Sequence, residues 1–200
     1  PFKNVGGSKI LNQLKLGFIN KIICNSNFTK KYIDLEFGVK SIVLTPPVDI
    51  DQFSPSAKEN IILAVGRYEP DKKQLALIEV FKKMVNEGLK DWQFVLIGGS
   101  TSSPEKNKYL SKLKEKAKGF PIEILANVKF NELKEYYAKA KLFWHAKGYQ
   151  VPADKPELAE HFGIAPVEAM SAGCVPGVVK KGGLKNIVRR GEGEKRETLK

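Results

Sequence analysis

The sequence predicts an α/β domain built on a doubly wound, mostly parallel sheet, and three observations carry that prediction. Short β-branched and apolar runs recur along the 200 residues, helical patterns separate them, and one run, IILAV at 61–65, is apolar throughout. A strand that is apolar on both faces fits a sheet covered by helices on both sides, whereas an all-β sandwich would alternate with period two.

The predicted strands are IICN (22–25), SIVLT (41–45), NIILAVG (60–66), WQFVLIGG (92–99), PIEIL (121–125), KLFWHA (141–146) and VPGVV (175–179). A helix over 9–20 leads into the first of them, and Ser26 caps a second helix running to about residue 36. The segment 73–88 places Leu75, Ile78, Phe81 and Val85 at helical spacing and stops at Gly88. Residues 105–118 keep Tyr109, Leu110, Leu113 and Ala117 on one face, and 131–140 form a shorter helix with Asn131 as its expected cap. Between 45 and 60, TPPVDIDQFSPSAKEN carries three prolines and reads as a linker. The chain therefore divides into 1–55, the end of one domain plus the linker; 56–188, the doubly wound domain; and 189–200, a charged tail expected to be disordered.

Composition narrows the function classes. The longest apolar runs are strand-length, far short of a membrane span. Thirty-four Lys and Arg against 22 Asp and Glu leave +12, which suits phosphorylated ligands, nucleic acid or an anionic membrane surface without choosing among them. Cys24 and Cys174 stand far apart with no CxxC spacing, which suggests neither zinc nor a disulfide framework and fits a reducing compartment. The Pro-Phe-Lys start, without Met, reads as the beginning of an excised segment.

Two constellations carry chemistry. GRYEPDKKQ (66–74) falls where a parallel strand ends and the next helix begins, the place where open α/β sheets bind ligands. There Gly66 permits a tight turn, Arg67 offers a fork of donors and Lys72 a point charge, a set suited to a diphosphate. Alone, this stretch reads first as a solvated loop with ordinary surface cations. The second is ELAEHFGIAPVEAMSAGCVPGVV (157–179), in which a helix begins near Ile164 with Pro166 in its first turn, leaving backbone N–H groups for an anion. Glu168, expected in that first turn, is explained equally well by roughly 0.3–1 kcal/mol of helix-dipole stabilisation. Glu160 lies before the helix, where a dipole explains it poorly.

Taken together, these residues resemble a known family. EHFGIAPVE, followed by AMSAGCVPGVV and KKGG, resembles the donor site of retaining GT-B glycosyltransferases, in particular family 4; GRYEPDKKQ is similar to that family's phosphate loop, and 25–53 to the segment joining its two domains. The resemblance implies a Rossmann-like domain forming the C-terminal half of a GT-B fold. It also implies that Gly66, Arg67 and Lys72 hold the donor diphosphate, that Glu168 accepts hydrogen bonds from the ribose and that Glu160 is the catalytic residue touching the transferred sugar. His161, Phe162, Gly163 and Ile164 would offer backbone N–H groups, and Val128 would lie beside the nucleobase. The implied donor is a UDP- or GDP-hexose, used without a metal or other cofactor. The acceptor would be a glycan or lipid-linked sugar bound through an N-terminal domain of which only the last portion is present. Expected localisation is the cytoplasm, including peripheral contact with the inner face of an anionic membrane.

Two rival classes stand beside this one. A non-catalytic nucleotide-sugar module would keep the fold and lose turnover, but retention of Arg67, Lys72, Glu160 and Glu168 together argues against simple decay. A nucleic-acid-binding domain rests on the +12 charge alone, so no nucleic-acid partner is expected. The remaining features have bland readings: His145 as a partly buried polar residue near the site mouth, Asn27-Phe28-Thr29 as a helix cap rather than a glycosylation site, and the lysines of 105–118 as a solvated helix face. Gly177 stands at a strand position where a branched side chain would be expected, which weakens that strand.

Overall fold

The run that is apolar throughout becomes the centre of a six-stranded parallel sheet. In the computed structural model, which describes residues 19–100, 104–188 and 194–196, the strands are β3 (Glu59–Val65), β4 (Gln93–Gly98), β5 (Ile122–Ala126), β6 (Ala140–His145), β7 (Val175–Val179) and β8 (Glu194–Arg196). Their spatial order is β5-β4-β3-β6-β7-β8, every neighbouring pair parallel. The chain winds outward from β3 to β5, returns to lie beside β3 as β6 and winds outward the other way. This is the doubly wound order whose reversal leaves a crevice at the carboxyl ends of β3 and β6.

Helices α2 (Gln74–Asn86) and α3 (Pro104–Ala117) cover one face, burying Leu77, Ile78, Phe81 and Leu113 against Ile62, Phe94 and Leu96. The opposite face of the same strands, Ile61, Leu63, Val95 and Ile97, packs with Tyr137 of α4 (Phe130–Lys139) and Ala169 of α5 (Ile164–Ser171). Consecutive β3 residues thus enter opposite cores, so no polar position is tolerated between 61 and 64.

Upstream, β1 (Ile23–Cys24) and β2 (Ile42–Val43) form a separate parallel pair joined by α1 (Asn27–Phe37). Ser26 caps α1 as expected, accepting from the Thr29 N–H at 3.1 Å. The Asp34 carboxylate accepts from Lys30 Nζ and from both the N–H and hydroxyl of Ser41, and these bonds, Lys30 first, hold its pKa down to about 2.

Several expectations need correction. The tail 189–200 is not wholly without structure, because 194–196 pair with β7; a ladder uses backbone groups and asks for no apolar side chains. Helix α4 begins after Lys129, without a side-chain cap, rather than at Asn131. Asn127, in the left-handed region at φ 56°, has already turned the chain there. The linker is anchored: Phe53 is buried, with ring centroids 5.5 Å from Tyr137 and 6.1 Å from Phe130. Gly177 has a packing role, since a Cβ there would lie 3.0 Å from Trp144 on neighbouring β6. The helix expected at 9–20 lies outside the described residues except for 19 and 20, which are not helical.

Candidate active site at the switch point

The crevice between β3 and β6 is where the two constellations meet. Leaving β3, the chain crosses the end of β4, with Gly66 N–H donating to Ile97 O (3.0 Å) and Tyr68 N–H to Gly99 O (3.2 Å). A Cβ on Gly98 would fall 2.3 Å from Gly66 O, so this crossing requires glycine there. Tyr68 turns inward, and its hydroxyl reaches the Leu125 and Leu96 carbonyls at 2.6 and 2.9 Å; burial pushes its pKa far up. A 3₁₀ turn (Pro70–Lys72) then leads through Lys73, held at φ 60°, into α2.

Gln74, the first residue of α2, is buried and ties this loop down. Its amide donates to Arg67 O (2.8 Å) and its carbonyl accepts from the buried Tyr109 hydroxyl (3.1 Å). The result sorts the two expected cations. Lys72 points inward with 17% of its side chain exposed, while Arg67 is 65% exposed and reaches Glu69 at 3.2 Å.

Glu160 is the junction of the site. Its Oε2 lies 2.9 Å from His145 Nε2, at the end of β6, and 3.4 Å from Lys72 Nζ; its Oε1 accepts from the His161 N–H at 3.2 Å. Burial alone would raise its pKa, but the His145 hydrogen bond and the charges of Lys72 and Lys147 outweigh that and hold the carboxyl well below its ordinary range. Lys147 itself pairs with Asp71 of the 66–74 loop at 3.2 Å, a second strap across the crevice. His161, against whose ring Phe28 of α1 lies 6.3 Å away, is held below the ordinary histidine range chiefly by burial, with Lys147 adding to it.

The loop 160–163 is seated on Gly182-Gly183. Gly183 N–H donates to Glu160 O at 2.7 Å, and a Cβ on either glycine would stand 2.0 Å from a loop carbonyl, Glu160 O for Gly182 and His161 O for Gly183. From Gly163 the chain enters α5 with no side-chain cap, so the anion-attracting end of that helix opens on the cleft.

That cleft, about 540 Å³, is lined by Gly66, Arg67, Lys72, His145, Glu160 and the run 161–166, together with Asn25 and Pro46 from the upstream segment. Eight of the ten expected site residues therefore meet around one space. The other two do not line it. Val128 packs half-buried against the core beside β5. Glu168 is the fifth residue of α5, beyond the first turn, so the dipole explanation weakens; its carboxylate instead accepts from the Tyr137 hydroxyl at 2.8 Å. The sequence reading missed His145 as a partner of Glu160 and missed Gln74, although a polar residue on the buried face of α2 was the available signal. The chain also contains one Asp-x-Asp, Asp49-Ile50-Asp51, but it lies exposed on the linker.

A 3-2-1-4-5-6 parallel sheet, with cations, a buried carboxylate and an open helix N-terminus gathered at its switch point, defines a doubly wound α/β domain of the ligand-binding kind. The chain belongs to the family described as glycosyl transferases group 1, whose model matches residues 48–196. Among its relatives are GDP-Man:Man(3)GlcNAc(2)-PP-Dol alpha-1,2-mannosyltransferases, that of Xenopus tropicalis 29% identical over 179 residues (82% of this chain, 34% of the relative) and that of Mus musculus 27% identical over 190 (86% and 37%). The chain thus spans about a third of the length of these curated relatives. Among solved structures, Anabaena HepE in complex with UDP-glucose matches with TM-score 0.71 at 19% identity, covering 96% of this chain and 55% of that one. The C-terminal domain of the group 1 glycosyl transferase LpcC of Francisella tularensis matches with TM-score 0.54 at 20% identity (76% and 82%). These likenesses establish the GT-B type of fold.

Proposed function

We propose that this chain is the donor-binding half of a retaining GT-B hexosyltransferase. The observation that carries the reading is the convergence of Lys72 and His145 on Glu160 at the switch point, beside the open end of α5. Breaking a glycosidic bond to a nucleotide builds positive character on the sugar and negative charge on the departing diphosphate. Lys72, Arg67 and the α5 N-terminus supply positive charge for the phosphates, while the ionised Glu160 offers an acceptor to sugar hydroxyls. In this reading the phosphate charge is met by the protein's own groups and no metal takes part. Glu168, oriented by Tyr137, is the ribose acceptor, and Val128 borders the base.

The mannosyltransferase relatives make GDP-mannose the first donor to test and a lipid-linked glycan the acceptor. Such an acceptor brings the protein to a membrane surface, and the +12 charge suits the cytoplasmic side of an anionic one. Among the described residues no helix is long and apolar enough to cross a membrane.

Calorimetry with GDP, GDP-mannose, UDP and UDP-glucose tests the reading. One nucleotide series should bind the parent chain, and Glu168→Gln, which keeps an acceptor for Tyr137 but loses the charge, should weaken the nucleoside diphosphate with little change in melting temperature. Failure of all four ligands to bind overturns the proposal. Turnover is expected only when an acceptor-binding domain completes the cleft; transfer by these 200 residues alone would overturn that part.

A further inference from the structure

Glu160 is held by donors from three segments, and they differ in how firmly each can hold it. The ionised carboxylate only accepts, so His145 Nε2, at 2.9 Å, must carry the ring proton. His145 is 8% exposed and ends a strand paired on both edges, by β3 and by β7, so its backbone is fixed by the sheet and its ring has little room to move. Lys72 is the opposite case. It sits at the end of a flexible four-carbon stem on the cleft wall, 3.4 Å from the same oxygen, where a bound diphosphate would compete for its charge.

Resting on the donor-site reading, we propose that His145 is a positioning residue for Glu160. Its Nε2–H pins Oε2 to the end of β6 while Lys72 turns to the donor's phosphates, and the remaining acceptor directions of the carboxylate stay available to hydroxyls of the sugar. The neighbouring charges do not replace it. Lys147 is engaged by Asp71 at 3.2 Å, and the His161 N–H holds only the other oxygen, Oε1.

Two measurements decide this. Ring ¹⁵N spectra of the ligand-free chain should show His145 protonated at Nε2, with that preference reduced in Glu160→Gln. A parent ring protonated at Nδ1 alone overturns the assignment with no ligand involved. The second compares affinities for a nucleoside diphosphate and its nucleotide sugar in the parent, His145→Gln and His145→Leu. The Leu variant should lose roughly ten- to hundredfold of the affinity that the sugar adds, the range of one hydrogen bond to a charged group. Its binding of the free diphosphate should fall by much less than its binding of the nucleotide sugar, and the Gln variant, which retains an N–H donor, should recover most of the loss. An equal sugar increment in all three overturns the proposal. So does a parallel loss of both ligands with a lowered melting temperature, which marks a purely structural role. A parent chain that binds neither ligand overturns the donor-site reading and the sugar's part in this one, while the spectrum still decides where the ring proton sits.

Discussion

Replacing Gly183 by Ala tests whether the loop 160–163 is seated as described, because the expected sign reverses if it is not. Gly183 has φ −66° and ψ −24°, ordinary right-handed values, at the entry to a short helix, α6 (Leu184–Ile187). At such a position Gly→Ala alone should stabilise by about 0.4–1 kcal/mol, because the unfolded chain loses freedom. In the folded chain, however, the new Cβ would lie 2.0 Å from His161 O and 2.6 Å from His161 C, and ordinary contact begins at 3.4 Å. The loop must therefore retreat by about 1.4 Å, straining the 2.7 Å bond from Gly183 N–H to Glu160 O. Overpacking of this kind costs about 1–3 kcal/mol, and in a chain of this size each kcal/mol moves the midpoint by about 2–4 °C. Allowing for the backbone gain, the expected result by circular dichroism is a melting temperature lower by up to roughly 10 °C. Because Glu160 moves with the loop, the affinity added by a donor sugar should fall as well. A Gly183→Ala variant that melts higher than the parent would refute the seating of 160–162 on this turn.

Other perturbations separate the parts of the site. Lys72→Ala should weaken nucleoside diphosphate binding by roughly ten- to hundredfold and lower the melting temperature, because it leaves buried Glu160 short of a cation, whereas Arg67→Ala should weaken binding with no change in melting; unchanged calorimetric affinities in both would return these cations to surface roles. Glu160 titrates below its ordinary 4.5, so its stabilising effect is complete above that pH and fades as pH falls through the lower folded value. The melting-temperature gap between the parent and Glu160→Gln should therefore narrow from about pH 5 to about pH 3, and a constant gap would contradict the ion pairing. Both cysteines are buried, and burial pushes the Cys174 thiol up to about 11, so a thiol reagent near pH 8 should label the native chain slowly and both sites promptly in guanidinium chloride; rapid native labelling of Cys174 would show the α4–α5 side to be open.

What the sequence determined by itself was local. Apolar runs located β3 to β7, and helical periodicity located α2 to α4, to within a residue or two, because strand-length runs and 3.6-residue repeats follow from backbone geometry and need no distant partner; the short α6 was not marked by any such pattern. Gly66, Lys72, Glu160 and the helix entry at Ile164 were likewise legible, since each sits at a strand end or helix start that the pattern already marks. Tertiary structure decided the partnerships. Lys72 and Glu160 are 88 positions apart and meet because the sheet reverses its order between β3 and β6. His145 stands 15 positions from Glu160 and becomes its donor by ending the strand on the other side of that reversal. Glu168 passed from a dipole residue to a partner of Tyr137, and Gly177 from a defect to the space for Trp144, because what a side chain touches depends on which strand or helix lies alongside. β8 shows the same limit from the other side: Glu194–Arg196 carry no apolar pattern, and they pair only because the edge of β7 offers backbone donors and acceptors.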